Sequence, residues 1–126
     1  MRPLFFLCLA WLVCGAAVAE PQVKVVPLDP GDKSYLPLLQ GPPETKSFHS
    51  GLVILAPGHA VGVHTTGANE EMLIPLDGEG ELRIAGRAPI PIKPGLITYT
   101  PSHTVHNVVN TGSVPLRYIY ITAKAE

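Results

Sequence analysis

From Phe48 to Thr122 the chain is a succession of short apolar runs, none longer than eight residues, each closed by glycine, proline or another turn residue. The runs are Phe48–Leu55, Ala60–His64, Glu71–Leu76, Glu81–Ile84, Ile90–Ile92, Leu96–Thr100, Val105–Val109 and Leu116–Thr122, and they are rich in Val, Ile, Thr and Tyr. Residues branched at Cβ suit a pleated strand, and closely spaced breakers leave no stretch in which helical turns could propagate. No window of about 11 residues in this region carries a helical period. The sequence therefore predicts an all-β domain, a sandwich or small barrel.

Local signals refine this reading. Asp77-Gly78 between two runs predicts a hairpin, and Ala85-Gly86-Arg87 a second turn. Pro75 removes a ladder donor, so its strand is expected to be an edge or bulged there, which would open a pocket. Met72-Leu73-Ile74-Pro75-Leu76 and Tyr118-Ile119-Tyr120-Ile121 are apolar on both faces. A strand with one wet face alternates, so the outer face of one sheet is expected to be covered by the N-terminal segment or by a second subunit, and of the two a homodimer is the expectation. Residues 20–47 hold Pro21, Pro27, Pro30, Pro37, Pro42 and Pro43 and read as an extended arm, with Val23–Val26 as its best strand candidate.

Residues 1–19 read as a signal peptide: Arg2, an uncharged apolar run from Leu4 to Val13, then Ala17-Val18-Ala19 before the expected cleavage. That run is shorter than the roughly 20 residues a membrane span needs, so no span is expected in the mature chain. The product is expected to be exported, to a periplasm or the extracellular space. Cys8 and Cys14 both fall inside the leader, which excludes disulfides and a catalytic thiol from the mature chain. After Ala19, five lysines and three arginines stand against ten carboxylates, a formal charge of −2 with no basic run. Nucleic-acid binding has no electrostatic support, and a small molecule or a protein is the expected partner. The division is thus 1–19 leader, 20–47 arm and 48–126 barrel.

Chemistry concentrates in two stretches, His64-Thr65-Thr66-Gly67-Ala68-Asn69-Glu70-Glu71 and Pro101-Ser102-His103-Thr104-Val105-His106. Imidazole nitrogen and carboxylate oxygen are ligands for divalent transition metals. In a strand, positions i and i+2 share a face, so His64 and Thr66 are expected to project together. Gly58, five residues, His64, one residue, Thr66, four residues, Glu71, six residues and Gly78 form one spacing; Gly95, five residues, Pro101, one residue, His103, two residues, His106, three residues and Asn110 form another. Together, sixteen residues apart, they resemble the two motifs of the cupin superfamily, whose fold is a double-stranded β-helix or jelly-roll barrel.

The resemblance implies His64, Glu71 and His106 as metal ligands, selecting Glu71 over its neighbour Glu70. Thr66 stands where the motif has its second histidine, and His103 where it has a glycine. Thr66 is a poor ligand unless deprotonated. His103 reads as a turn residue at positive φ or as a replacement ligand or proton shuttle at the pocket mouth. The implied cofactor is a divalent ion: Fe, Mn, Zn or Ni. His49 and His59 are expected at the surface, and Asn110, Gly58, Gly78 and Gly95 in structural roles. Three functions stay open: an oxygenase-like enzyme on a small organic substrate, a non-catalytic small-ligand binder, and a structural dimer with a vestigial site.

Overall fold

A computed structural model describes residues 21–125. The leader reading, with Cys8 and Cys14, lies outside the described residues. Eight strands form: β1 (Tyr35–Gln40), β2 (Phe48–Leu55), β3 (Asn69–Asp77), β4 (Gly80–Ile84), β5 (Ile90–Ile92), β6 (Thr98–Thr100), β7 (His106–Val109) and β8 (Leu116–Lys124). They make two antiparallel sheets, one in the order β1-β2-β8-β3-β6 and one in the order β5-β4-β7. Among the described residues no helix is long and apolar enough to cross a membrane.

The sheets face each other across a core of Leu73, Leu82, Ile92, Val108, Leu116 and Tyr118, with Val53, Leu55, Ile84, Ile90 and Tyr120 packed around it. Inward positions alternate along each long strand, as a period of two requires. On β3 the inward set is Glu71, Leu73 and Pro75. On β8 it is Leu116, Tyr118 and Tyr120.

Several boundaries differ from the sequence reading for identifiable reasons. Asp77-Gly78 does not close a hairpin, because β3 pairs with β6 and β8 while β4 pairs with β5 and β7. The turn instead carries the chain from one sheet to the other. Gly78 is needed there on two counts: its φ is 73°, and a Cβ would lie 2.4 Å from the Pro115 carbonyl oxygen. Ala85-Gly86-Arg87 does connect an antiparallel pair, β4 to β5, with the Arg87 amide donating to the Ile84 carbonyl.

Ala60–His64 runs beside β7 but pairs only at its ends, Ala60 with Val109 and His64 with His106. Gly62, at φ 104°, interrupts it, and its amide donates to the Asn107 side chain at 2.9 Å. Pro75 stands where β3 has run past β6, which reaches only Leu73, and the β8 register shifts between Pro75 and Asp77. The strand is both edged and bulged at that proline.

The strand near the N-terminus is Tyr35–Gln40, not Val23–Val26, which forms no regular structure. It is an edge strand, and its register with β2 slips next to Pro37, so one of its two sides needs no donor from the proline. Of the preceding residues, Leu28 meets the outer face of the larger sheet, while Val23 and Val25 are almost fully exposed. Lys24 pairs with Glu44, and outward-pointing Arg117 donates to the Leu28 carbonyl at 3.4 Å. Leu52, wholly buried, lies on this outer face opposite Ile119 and apart from the main core.

Asn110 locks the end of β7. Its amide nitrogen donates to the Leu55 and Val114 carbonyls at 2.8 and 2.9 Å, and its oxygen accepts from the Gly112 amide at 2.9 Å. This is the structural role expected of an asparagine closing a strand.

Candidate metal centre

Glu71 enters the interior from β3. Glu70, of opposite parity, points outward and accepts a hydrogen bond from the Tyr99 hydroxyl at 2.9 Å. His106 begins β7, and His64 faces it across a reciprocal pair of backbone hydrogen bonds of 2.8 and 2.9 Å. Residues so paired project to the same side of a sheet, and the two imidazole centroids lie 4.5 Å apart. Ligand atoms of His64, Glu71 and His106 all fall within 4.8 Å of one another.

The orientation of each ring is set by its own backbone. His64 Nδ1 lies 2.8 Å from the Gly62 carbonyl and His106 Nδ1 lies 2.9 Å from the Thr104 carbonyl. A carbonyl only accepts, so Nδ1 carries the hydrogen in both rings. In the neutral form this leaves the Nε2 lone pair free on the opposite side. Carbonyl support of one nitrogen is how a metal-binding histidine is fixed in tautomer and direction.

A conflict results at the centre. His106 Nε2 and Glu71 Oε2 are 2.9 Å apart, yet both are buried and neither makes an aligned hydrogen bond. A neutral imidazole Nε2 and a carboxylate oxygen are both acceptors. Two buried acceptors at that separation are stable only with a cation to share, a proton or a metal. The same proximity raises the His106 pKa: Glu71 as acceptor favours the charged ring, against the opposing pull of burial and with help from the Thr104 carbonyl. Thr98 and Thr100 hydroxyls are buried and unpartnered too. They pair with Leu73 and Glu71 across the β3–β6 ladder and so face the same interior.

The other candidates fall differently. Thr66 lines the same cavity as His64 and Glu71, but its hydroxyl donates to the Asn69 carbonyl at 2.7 Å. Its hydrogen bond closes a turn and leaves no anionic oxygen for a metal. His103 is exposed at φ 58°, with its amide bonded to the Gly67 carbonyl at 2.6 Å. It is a left-handed turn residue outside the His64–Glu71–His106 group. His49 and His59 are exposed.

A cavity of about 430 Å³ reaches His64 and Glu71 but not His106, and is lined mainly by Val53, Leu55, Val61, Leu73, Val108, Tyr118 and Tyr120. Tyr35, on edge strand β1, stacks on Tyr120 at 6.4 Å and 11°, and their hydroxyls are 2.9 Å apart. Gly51 makes room for the pair, since a Cβ there would sit 2.7 Å from one ring and 2.8 Å from the other. Burial raises the pKa of Tyr118 and Tyr120, and the nearby Glu71 charge adds to both. Sequence reasoning missed these tyrosines. Their signal was parity: Tyr118 and Tyr120 share one face of β8 with Leu116 and Thr122.

Fold and site define a small two-sheet β-barrel protein with a two-histidine, one-carboxylate group beside an apolar cavity that His64 and Glu71 help to line. The chain belongs to the cupin domain family, which it matches over residues 51–122. It is similar to the oxalate-binding protein of Thermotoga maritima, 34% identical over 67 residues, which are 53% of this chain and 54% of that protein. The chain thus spans about half the length of this curated relative. Among solved structures, a cupin 2 conserved barrel domain protein from Salinispora arenicola superposes with a TM-score of 0.68 at 24% identity, covering 82% of this chain and 91% of that one. A predicted oxalate decarboxylase from Thermotoga maritima superposes with a TM-score of 0.56 at 30% identity, covering 60% and 65%.

Proposed function

We propose that this protein is an exported metal-binding cupin in which His64, Glu71 and His106 hold one divalent ion and the adjoining cavity receives a small organic molecule. The observation that carries the reading is the pair of facing, buried acceptors, His106 Nε2 and Glu71 Oε2, 2.9 Å apart with no aligned hydrogen bond. Two imidazoles and one carboxylate suit Fe, Mn, Zn or Ni, and two histidines with a carboxylate and open positions is the donor set of non-haem iron oxygenases. A bound ion would supply Lewis acidity, or redox chemistry if it is iron. The protein's part is to aim both Nε2 atoms through the Gly62 and Thr104 carbonyls and to keep the site dry behind apolar walls.

The two Thermotoga maritima matches are named for oxalate, which makes a small organic acid the class to test against uncharged molecules. A second reading, ligand binding without chemistry, is favoured by Thr66, whose hydroxyl is committed to Asn69 and offers no fourth strong ligand. Half-buried Met72, Ile74, Ile119 and Ile121 on the outer face of the larger sheet support pairing of two copies there. The test is elemental analysis of tag-free protein beginning at Glu20, beside His106→Ala. Near-stoichiometric metal in the native protein and its loss in the variant are expected; equal, trace metal in both would refute the metal site.

A further inference from the structure

The metal group accounts for one end of the cavity and leaves the other side, built by β1, β2 and β8, unexplained. Three features of that side bear on what enters. The first is charge. Among the described residues lining the cavity, Glu71 is the sole charged side chain of acid or strong base type, and no lysine or arginine is present. Lys33 borders a neighbouring hollow of about 590 Å³ together with Asp32. A dianion entering the cavity would leave water with only the metal group to pair with, and Glu71 already halves the charge of a divalent ion. Buried charges without partners are costly.

The second feature is size. At roughly 30 Å³ per water, the 430 Å³ cavity has room for an organic body of ring size or larger. A two-carbon diacid would leave most of its apolar wall facing water.

The third feature is a set of hydrogen-bond donors with no protein acceptor. Tyr35 and Tyr120 hydroxyls share one hydrogen bond, which uses one of their two O–H groups and leaves the other to donate. Tyr118 is 2% exposed and lines the cavity, and its hydroxyl makes no hydrogen bond among the described residues. Both phenols are held protonated by burial, so they can donate. A ligand oxygen is the acceptor such groups need.

We infer that the cavity takes an uncharged, largely apolar organic molecule carrying a carbonyl or hydroxyl oxygen, with its body against Val53, Leu73 and Val108 and its oxygen near the tyrosine hydroxyls. This rests on the proposed metal-site function for the location of the pocket, but its recognition elements are the tyrosines and not the metal ligands. Discrimination against dicarboxylates follows from the absent cations.

The experiment titrates acetophenone, its all-carbon analogue ethylbenzene, and oxalate into zinc-loaded and chelator-treated full-length mature protein, following intrinsic tyrosine fluorescence and calorimetric heat. Acetophenone is expected to bind at least tenfold more tightly than oxalate. Tyr120→Phe and Tyr118→Phe should each weaken acetophenone by roughly tenfold, the worth of one hydrogen bond, while leaving ethylbenzene unchanged. Tighter binding of oxalate, no saturable binding of acetophenone at millimolar concentration, or equal losses for acetophenone and ethylbenzene in the variants would overturn the inference. Zinc content of the same samples is measured separately. Acetophenone binding in protein that fails to retain zinc would sink the metal reading and leave this one standing; zinc retention with oxalate preferred would do the reverse.

Discussion

Replacing Glu71 by Gln separates what the centre does for metal from what it does for the fold. In the metal-free native protein above the His106 pKa, Glu71 Oε2 and His106 Nε2 oppose each other as acceptors 2.9 Å apart, both buried. Gln keeps the shape, removes the buried charge and brings an N–H that His106 Nε2 can accept. Satisfying a buried acceptor recovers about 1–3 kcal/mol, and each kcal/mol moves the melting temperature of a domain this size by about 4–8 °C.

The sign reverses with pH. The His106 pKa is raised by Glu71, so the shared proton contributes stability that is fully present below the ordinary imidazole value of about 6.5. That contribution is lost as pH climbs through the raised value. Native protein should therefore melt higher than Glu71→Gln at about pH 6, and the variant should melt higher by several degrees at about pH 9. The assay is differential scanning fluorimetry in excess chelator across that range. Added zinc should restore the order in favour of the native protein at alkaline pH, because the variant has lost its anionic ligand. That loss should exceed the roughly 10–100-fold cost of removing a supporting group around a metal. A variant less stable than native protein at every pH in chelator would refute the account, since it would mean the two atoms are not in conflict.

Other consequences are direct. Asn110→Ala removes three buried hydrogen bonds and should cost about 3 kcal/mol at roughly 1 kcal/mol each, read as a shift in the chemical denaturation midpoint. Thr66→His, at a position lining the cavity beside His64 and Glu71, should tighten zinc binding by about tenfold or more in competition with a chromophoric chelator, the gain of one strong ligand. Unchanged affinity would mean that position 66 cannot reach the ion. Gly51→Ala forces a Cβ against Tyr35 and Tyr120 and should cost about 1–3 kcal/mol, with a change in the near-ultraviolet tyrosine signal that reports separation of the two rings.

Short β-branched runs with closely spaced breakers admitted only an all-β fold, and the spacing from Gly58 to Asn110 singled out one barrel family. The family spacing chose Glu71 over Glu70, and strand alternation then sends the two side chains to opposite faces. The same local logic misplaced the strand near the N-terminus. Val23–Val26 has the better β composition, yet Tyr35–Gln40 is the segment that reaches the open edge of β2, and a strand needs a partner more than it needs propensity. It also misread Asp77-Gly78, whose turn chemistry suits a hairpin but whose flanking strands belong to different sheets. Which strand a turn leads to depends on what packs across the core, and no four-residue window contains that information.

The site divides along the same line. His64, Glu71 and His106 were legible as ligand types at family spacing, and His103 as a residue able to occupy positive φ. The carbonyls of Gly62 and Thr104 that aim the imidazoles, and the 2.9 Å approach of two acceptors, exist only once β3, β7 and the segment before Thr65 are brought together. The three tyrosines likewise come from strands at opposite ends of the barrel sequence. Sequence by itself determined the all-β class, the family and the donor set, because those follow from local backbone preference and spacing. Tertiary structure alone decided where lone pairs point and which face the cavity shows its ligand, because those depend on contacts between residues far apart in the chain.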